Sequence, residues 1–247
     1  MSCSNSRTSS QFLSFEQIIT ILNTFIVYSI FTFADDTTIY DCNTSANILQ
    51  NNLQSDVETI VKWCDLNKMA LNPNKSTSML LGSPYNTRRS SDISIKVKGQ
   101  FIECVCHQKL LGLHIDKNLT WNHHIKVVHT KLKSKLALLR RIKPFLNKDM
   151  RLLFYNGYVM PIFDYGCVIW SNSTDKYLNK IINTQKRAAR MILDKRYDQP
   201  SAPLFNELAW LPFMTRCKYH IGKLVFKTIN NLLPSYMNEM LLINTSL

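Results

Sequence analysis

The chain has 247 residues, room for one large domain or two small ones. It is 45% hydrophobic, which excludes a coreless, extended polypeptide, and its formal charge is +13. That charge is lopsided: residues 1–120 hold ten Lys/Arg and ten Asp/Glu, whereas residues 121–247 hold twenty and seven. A basic half beside a balanced half points to a polyanion partner, nucleic acid above all. The seven cysteines (Cys3, Cys42, Cys64, Cys104, Cys106, Cys167 and Cys217) are scattered and odd in number. They form no disulfide framework and fit free thiols in a reducing compartment.

The Ser-rich stretch Met1 to Ser10 is expected to be disordered. Ile18 to Ala34 is a charge-free run bounded by Glu16 and Asp35. It is at the short limit for a membrane span, holds Asn23, Thr24, Ser29 and Thr32, and lacks basic flanks. Its β-branched and aromatic end favours a buried strand. With one basic residue before it and no small-residue cleavage site, it does not read as a signal peptide, and an intracellular location, nucleus or cytoplasm, is expected. Phe33-Ala34-Asp35-Asp36 then sits between two β-forming segments, so a strand, an acidic turn and a second strand are expected. Two carboxylates at a hairpin tip can hold Mg²⁺ for phosphoryl transfer; alone, the same pair is more often an ordinary solvated turn.

Ser45 is placed to cap a helix running to about Asn67, with Leu49, Leu53, Val57, Ile60, Val61 and Cys64 on one face. Asn72-Pro73-Asn74 breaks the chain, Ser76 to Leu81 reads as a strand, and Tyr85 to Asp92 as a polar loop. Ile93, Ile95 and Val97 alternate with polar residues and enter a turn at Lys98-Gly99. Cys104-Val105-Cys106-His107 lacks the spacing of a zinc finger even with His114, His123, His124 and His129 downstream. Leu110 to Asp116 predicts a short strand pair bending at Gly112.

Helical periodicity dominates thereafter. His123 to Arg140 carries Ile125, Val128, Leu132, Leu136 and Leu139 on one face and a crowd of Lys and Arg on the rest. Further helices are expected over Lys148 to Met160, broken at Pro161, over Asp175 to Leu193, and over Leu204 to Trp210, Arg216 to Asn230 and Tyr236 to Leu242. Basic residues beside Trp170, Tyr177 and Tyr197 suit a groove that tracks a nucleic-acid backbone, while each aromatic taken alone fits a core position better.

Phe-Ala-Asp-Asp-Thr-Thr-Ile-Tyr at 33–40 resembles the catalytic hairpin (motif C) of reverse transcriptases of non-LTR retrotransposons, of the jockey-like or CR1-like kind. Ordered blocks strengthen the likeness. Val61 to Lys68 is similar to the family's palm helix, Ala70 to Ser76 to motif D, and Leu110 to Asp116 with Leu119-Thr120-Trp121 to motif E, the primer grip. Phe154 to Pro161, Asp164 to Trp170 and Ile182 to Arg190 are similar to what lies beyond. The resemblance implies an α+β fold: a partial polymerase palm, an antiparallel sheet with a helix, followed by an all-α thumb-like domain. Residues 1–29 would be a divergent segment, 30–120 the partial palm and 121–247 the basic helical thumb and C-terminal region.

The resemblance also implies roles. Asp35 and Asp36 would hold Mg²⁺, Phe33 and Ala34 would border the primer end, and Lys75 would assist the pyrophosphate leaving group. Leu111 and Gly112 would position the primer backbone. Lys131, Lys135, Lys186, Arg187 and Arg190 would hold an RNA template and DNA primer through phosphates. No specific protein partner is implied. Two-metal polymerisation needs carboxylates from two strands, and residues 1–34 contain Glu16 as their sole acidic residue, with nothing resembling motifs A or B. The expectation is therefore a reverse-transcriptase fragment inactive as a polymerase by itself; the alternative is a non-catalytic, sequence-tolerant RNA- or DNA-binding module.

Overall fold

The computed structural model describes residues 29–33, 36–89, 93–234 and 237. Strands β1 (Ser29–Phe33) and β2 (Asp36–Tyr40) pair antiparallel, Ser29 opposite Tyr40 and Phe33 opposite Asp36. Thr37, Thr38, Ile39 and Tyr40 are residues that favour a pleated strand. The expected hairpin is thus present. Ala34 and Asp35 lie outside the described residues, as does the helix expected over Tyr236 to Leu242 apart from Met237. Of the charge-free run, Ser29–Phe33 is strand, and among the described residues no helix is long and apolar enough to cross a membrane.

The chain divides into two compact units between Gln108 and Lys109. In the first, helix α1 (Ala46–Leu66) buries Ile60 and Cys64 against Ile39, Trp63 and Leu71. Ser45 takes the N-cap position, but its side chain makes no capping hydrogen bond. The alternation of Ile93, Ile95 and Val97 is real, since all three are buried. What fixes it is unusual. Gln50 Oε1 accepts from Ser94 N–H (2.8 Å), and Gln54 both accepts from Lys96 N–H (2.8 Å) and donates to the Lys96 carbonyl (3.2 Å). Side-chain amides of a helix stand in for a neighbouring strand and satisfy an edge that would otherwise be open. Strands β4 (Lys96–Val97) and β5 (Gln100–Phe101) follow, joined by Lys98-Gly99 with φ of 50° and 79°, the positive pair that a type I′ turn requires.

Two expectations in this unit are corrected. The strand over Ser76 to Leu81 shrinks to β3 (Thr77–Ser78), which pairs in parallel with β6 (Glu103–Cys104). Residues 85–89 of the expected polar loop belong to helix α2 (Pro84–Arg89). Pro84 suits a first helical turn, where its missing N–H has no partner to lose, and the Ser83 carbonyl accepts from Thr87 N–H.

In the second unit, strands β7 (His107–Leu110) and β8 (Leu113–Asp116) lead into helix α3 (Asn122–Ile142). The predicted apolar face of α3 is buried as expected. Helix α4 (Lys148–Phe154) does not break at Pro161. It widens into a π-helical turn over Tyr155–Val159 and continues as α5 (Met160–Asp164), with Pro161 in the first turn, where a proline is tolerated. Short helix α6 (Cys167–Trp170) is followed by α7 (Asp175–Ile192), α8 (Ser201–Glu207) and α9 (Phe213–Ile229). One core joins them: Leu132 and Leu139 of α3, Ile181, Ala188 and Ile192 of α7, and Phe163, Trp170 and Phe213. Trp170 stacks on Phe213 at 5.5 Å, so Trp170 is core and not part of a groove. Buried Gln185 accepts from Phe213 N–H (2.8 Å) and donates to the Leu211 carbonyl (3.0 Å), which starts α9 after Pro212.

Candidate nucleic-acid interface

Two local structures in the second unit carry the residues of interest. The first is the β7–β8 turn. Its central residues Leu111 and Gly112 have φ of 46° and 82°. Leu111 therefore holds a left-handed conformation that costs an L-residue about 1 kcal/mol. The Tyr165 hydroxyl donates to the Leu111 carbonyl and so holds the turn in place. A Cβ on Gly112 would meet the Tyr165 ring at 3.4 Å, and one on Gly166 would meet Leu113 Cδ2 at 2.9 Å. Both glycines are thus required by positive φ and by close packing. Leu111 itself remains half exposed at the tip.

Asp116 closes the same corner. Its carboxylate accepts from the N–H groups of Asn118 (3.2 Å), Thr120 (3.0 Å) and Trp121 (2.9 Å) and from the Thr120 hydroxyl (3.1 Å). Burial alone would raise its pKa, but these donors outweigh burial and hold the carboxyl below its ordinary 3.8. They also stabilise Leu119 and Trp121 at positive φ, so the Asp-x-x-Leu-Thr-Trp run is a device for turning a strand into a helix. Next to it, buried His124 accepts from His114 N–H through Nδ1 (3.2 Å), so the neutral ring carries its proton on Nε2. Burial, then the charges of His114, Lys131 and His123, push its pKa down to about 4.

The second structure is a groove of about 520 Å³ between α3 and α7. Lys133, Leu136, Ala137, Arg140 and Lys143 line one side, and Thr184, Arg187, Arg190 and Met191 the other. Lys195 and Tyr197 close its end. Six of these residues are cationic and none is acidic. Lys143 is ion-paired with Asp194, and Arg190 spends two donors on the Gln199 carbonyl (2.9 and 2.7 Å). Among the described residues, no ion pair neutralises Lys133, Arg140, Arg187 or Lys195. Nearby His129 titrates below its usual range, first from burial and then from Lys133, Lys180 and Arg187.

The residues named from sequence are distributed unevenly. Arg187 and Arg190 line the groove, whereas Lys186 is half-buried beside it. Lys135 lies 5.6 Å over the Tyr158 ring, and Tyr177 sits under Lys126 and Lys180. Lys131 faces the histidine corner, where it lowers the pKa of His114 and His124. Lys75 is exposed on a single turn of 3₁₀ helix (Pro73–Lys75). Phe33 ends β1, and Asp36 is exposed at the start of β2. Lys133, Arg140, Lys143 and Lys195 were not singled out. Their signal was present: Lys133, Ala137 and Arg140 recur at i, i+4, i+7, as Thr184, Arg187 and Met191 do at i, i+3, i+7.

For a metal, the described residues fall short. No group of three or more His, Cys, Asp or Glu among them could hold a cation, and Asp36 brings a single carboxylate.

The chain is 26% identical over 182 residues, 72% of its length, to the probable RNA-directed DNA polymerase from transposon BS of Drosophila melanogaster. It is 23% identical over 164 residues to the probable RNA-directed DNA polymerase from transposon X-element of the same organism. It is 24% identical over 164 residues to the RNA-directed DNA polymerase from mobile element jockey, again of Drosophila melanogaster. It spans 20%, 18% and 18% of these relatives' lengths. No family model and no solved structure matches. The resemblance read from the sequence and these comparisons point the same way: the chain is similar to RNA-directed DNA polymerases of non-LTR mobile elements.

Proposed function

We propose that this chain is the primer-side and helical part of a reverse transcriptase, gripping nucleic acid through phosphates without reading sequence. The observation that carries this is the α3–α7 groove, cationic on both walls and free of carboxylates, in a relative of RNA-directed DNA polymerases. A polyanion entering it releases counterions and gains four cations that no ion pair neutralises. In this reading residues 30–120 are a partial palm and 121–247 a thumb. Leu111 and Gly112 bear on the primer strand, and the rigid corner made by Tyr165 and Asp116 keeps that contact fixed. Asp35, Asp36 and Lys75 are the chain's share of the catalytic groups, with Mg²⁺ as the cation.

The 247-residue polypeptide is predicted not to polymerise by itself. Asp35 and Asp36 are neighbours in the sequence, and Glu16 is the sole acidic residue among residues 1–34. Primer extension on an RNA template with Mg²⁺, and binding of a labelled RNA–DNA hybrid over a salt series, test both parts. The expected result is no extension, with binding whose logarithm falls linearly with log salt. Neutralising Arg187 should reduce that slope by about one. Extension that disappears in Asp35→Ala overturns the first part; absent or salt-insensitive binding overturns the second.

A further inference from the structure

We infer that the α3–α7 groove takes an unpaired strand, with Tyr197 as the surface on which one of its bases stacks. The inference rests on the nucleic-acid reading above and narrows it. Beside its cations the groove has an apolar lining from Leu136, Ala137 and Met191. A purely phosphate-binding surface has no use for such an apolar lining, whereas the face of a nucleobase does. At its end stands Tyr197, 88% exposed, although a tyrosine ring ordinarily covers much of its area. Neither a stacked aromatic partner nor a cation over its ring is found for it among the described residues. Tyr177 and Tyr158, by contrast, are each occupied by lysines.

Size gives the third reason. About 520 Å³ is the volume of a small-ligand cleft, enough to receive a nucleotide or two. A duplex can meet Lys133, Arg140, Arg187 and Lys195 with its phosphates, but its bases stay paired and stacked and would leave Tyr197 unused. A single strand can lay its backbone along the cations and turn one base inward onto the phenol ring. Contacts of that kind tolerate any sequence, because every base has a π-face.

The test is fluorescence anisotropy on the full 247-residue chain, using a labelled single-stranded oligonucleotide and a blunt duplex of the same length at equal salt. Wild-type protein should prefer the single strand. Tyr197→Ala should weaken single-strand binding by about 5- to 150-fold, the loss of one stacked base, and leave duplex binding within twofold. Tyr197→Phe should retain most of the affinity. Because the side chain is exposed, the circular dichroism of both variants should match wild type. A loss under twofold in Tyr197→Ala, or an equal loss for both oligonucleotides, overturns the stacking role while the phosphate-binding reading stands. Wild type that binds neither oligonucleotide overturns both.

Discussion

Beyond Lys109 long helices bury Trp170, Phe163, Phe213, Leu132 and Ile181 almost completely, and the stacked and interdigitated side chains form one core. Before it, Ile60, Cys64, Ile93, Ile95 and Val97 carry the burial, and glutamine amides from α1 hold Ser94 and the two-residue strand β4. The carboxylates and lysine assigned to chemistry sit on the thin unit, and the cationic groove sits on the thick one. Burial of apolar surface is the dominant favourable term in folding, so the two units should answer mutation on different scales.

The largest contrast lies in the cores. Trp170→Ala removes a fully buried indole that stacks on Phe213 and donates to the Tyr165 carbonyl (2.9 Å), and is expected to cost about 3–5 kcal/mol. Ile60→Ala, in a pocket of Ile39, Trp63 and Leu71, is expected to cost about 2 kcal/mol, the low end for its type, because the sparse surroundings can relax. Urea denaturation of each variant measures both. Equal losses would erase the distinction between the units.

Acid sharpens it next, through the corner below the Leu111-Gly112 turn. His124 has a folded pKa of about 4 against an ordinary 6.5, so its contribution to stability is complete above pH 6.5 and is lost as pH falls toward 4. Asp116 is depressed below 3.8, so its contribution persists until the pH falls below that value. Denaturation midpoints at about pH 7, 4 and 2.5 should therefore fall in two steps. His124→Gln should remove the step between pH 6.5 and 4 and leave the Asp116 step in place.

Much of this was legible in the sequence, for physical reasons that differ by element. The buried faces of α3 and α7 follow directly from a 3.6-residue period, since one stripe of Leu, Ile and Ala must face a partner. The Leu110–Asp116 bend was legible because Gly112 marks a positive φ. The role of Asp116 was not, because its four donors come from the following loop and nothing in the spacing of a lone aspartate announces them. Helix α2 was missed because Tyr85 to Arg89 is polar on every side and has no apolar stripe. The groove was half visible: the cations were obvious, but which of them face each other depends on how α3 and α7 pack. That is why Arg187 and Lys133 share a cavity while Lys131 and Lys135 point elsewhere.

Turns give a finer comparison. Gly112 and Gly99 both sit at the second position of a positive-φ pair, at 82° and 79°. Alanine at either position carries the left-handed strain of about 1 kcal/mol. At Gly112 the new methyl also presses the Tyr165 ring at 3.4 Å, whereas at Gly99 nothing lies within 4 Å. Gly112→Ala should therefore lower the thermal midpoint more than Gly99→Ala. Tyr165→Phe, which deletes the hydroxyl bonded to the Leu111 carbonyl, should weaken the turn without that crowding.

The smallest effect contrasts two helix starts. Asn147 caps α4 with its side-chain oxygen accepting from Met150 N–H at 2.9 Å. Ser45 occupies the same position ahead of α1, but its hydroxyl accepts nothing from the first turn, and its own N–H is held by Asn43 Oδ1 at 3.1 Å. Asn147→Ala should cost about 1 kcal/mol, the usual loss of a capping hydrogen bond. Ser45→Ala should stay within about 0.5 kcal/mol, because there is no such bond to lose. Thermal melts of the two variants decide it. A Ser45→Ala loss as large as that of Asn147→Ala would mean that the first unit depends on a cap formed in solution, and that its helix is better anchored than its thin core suggests.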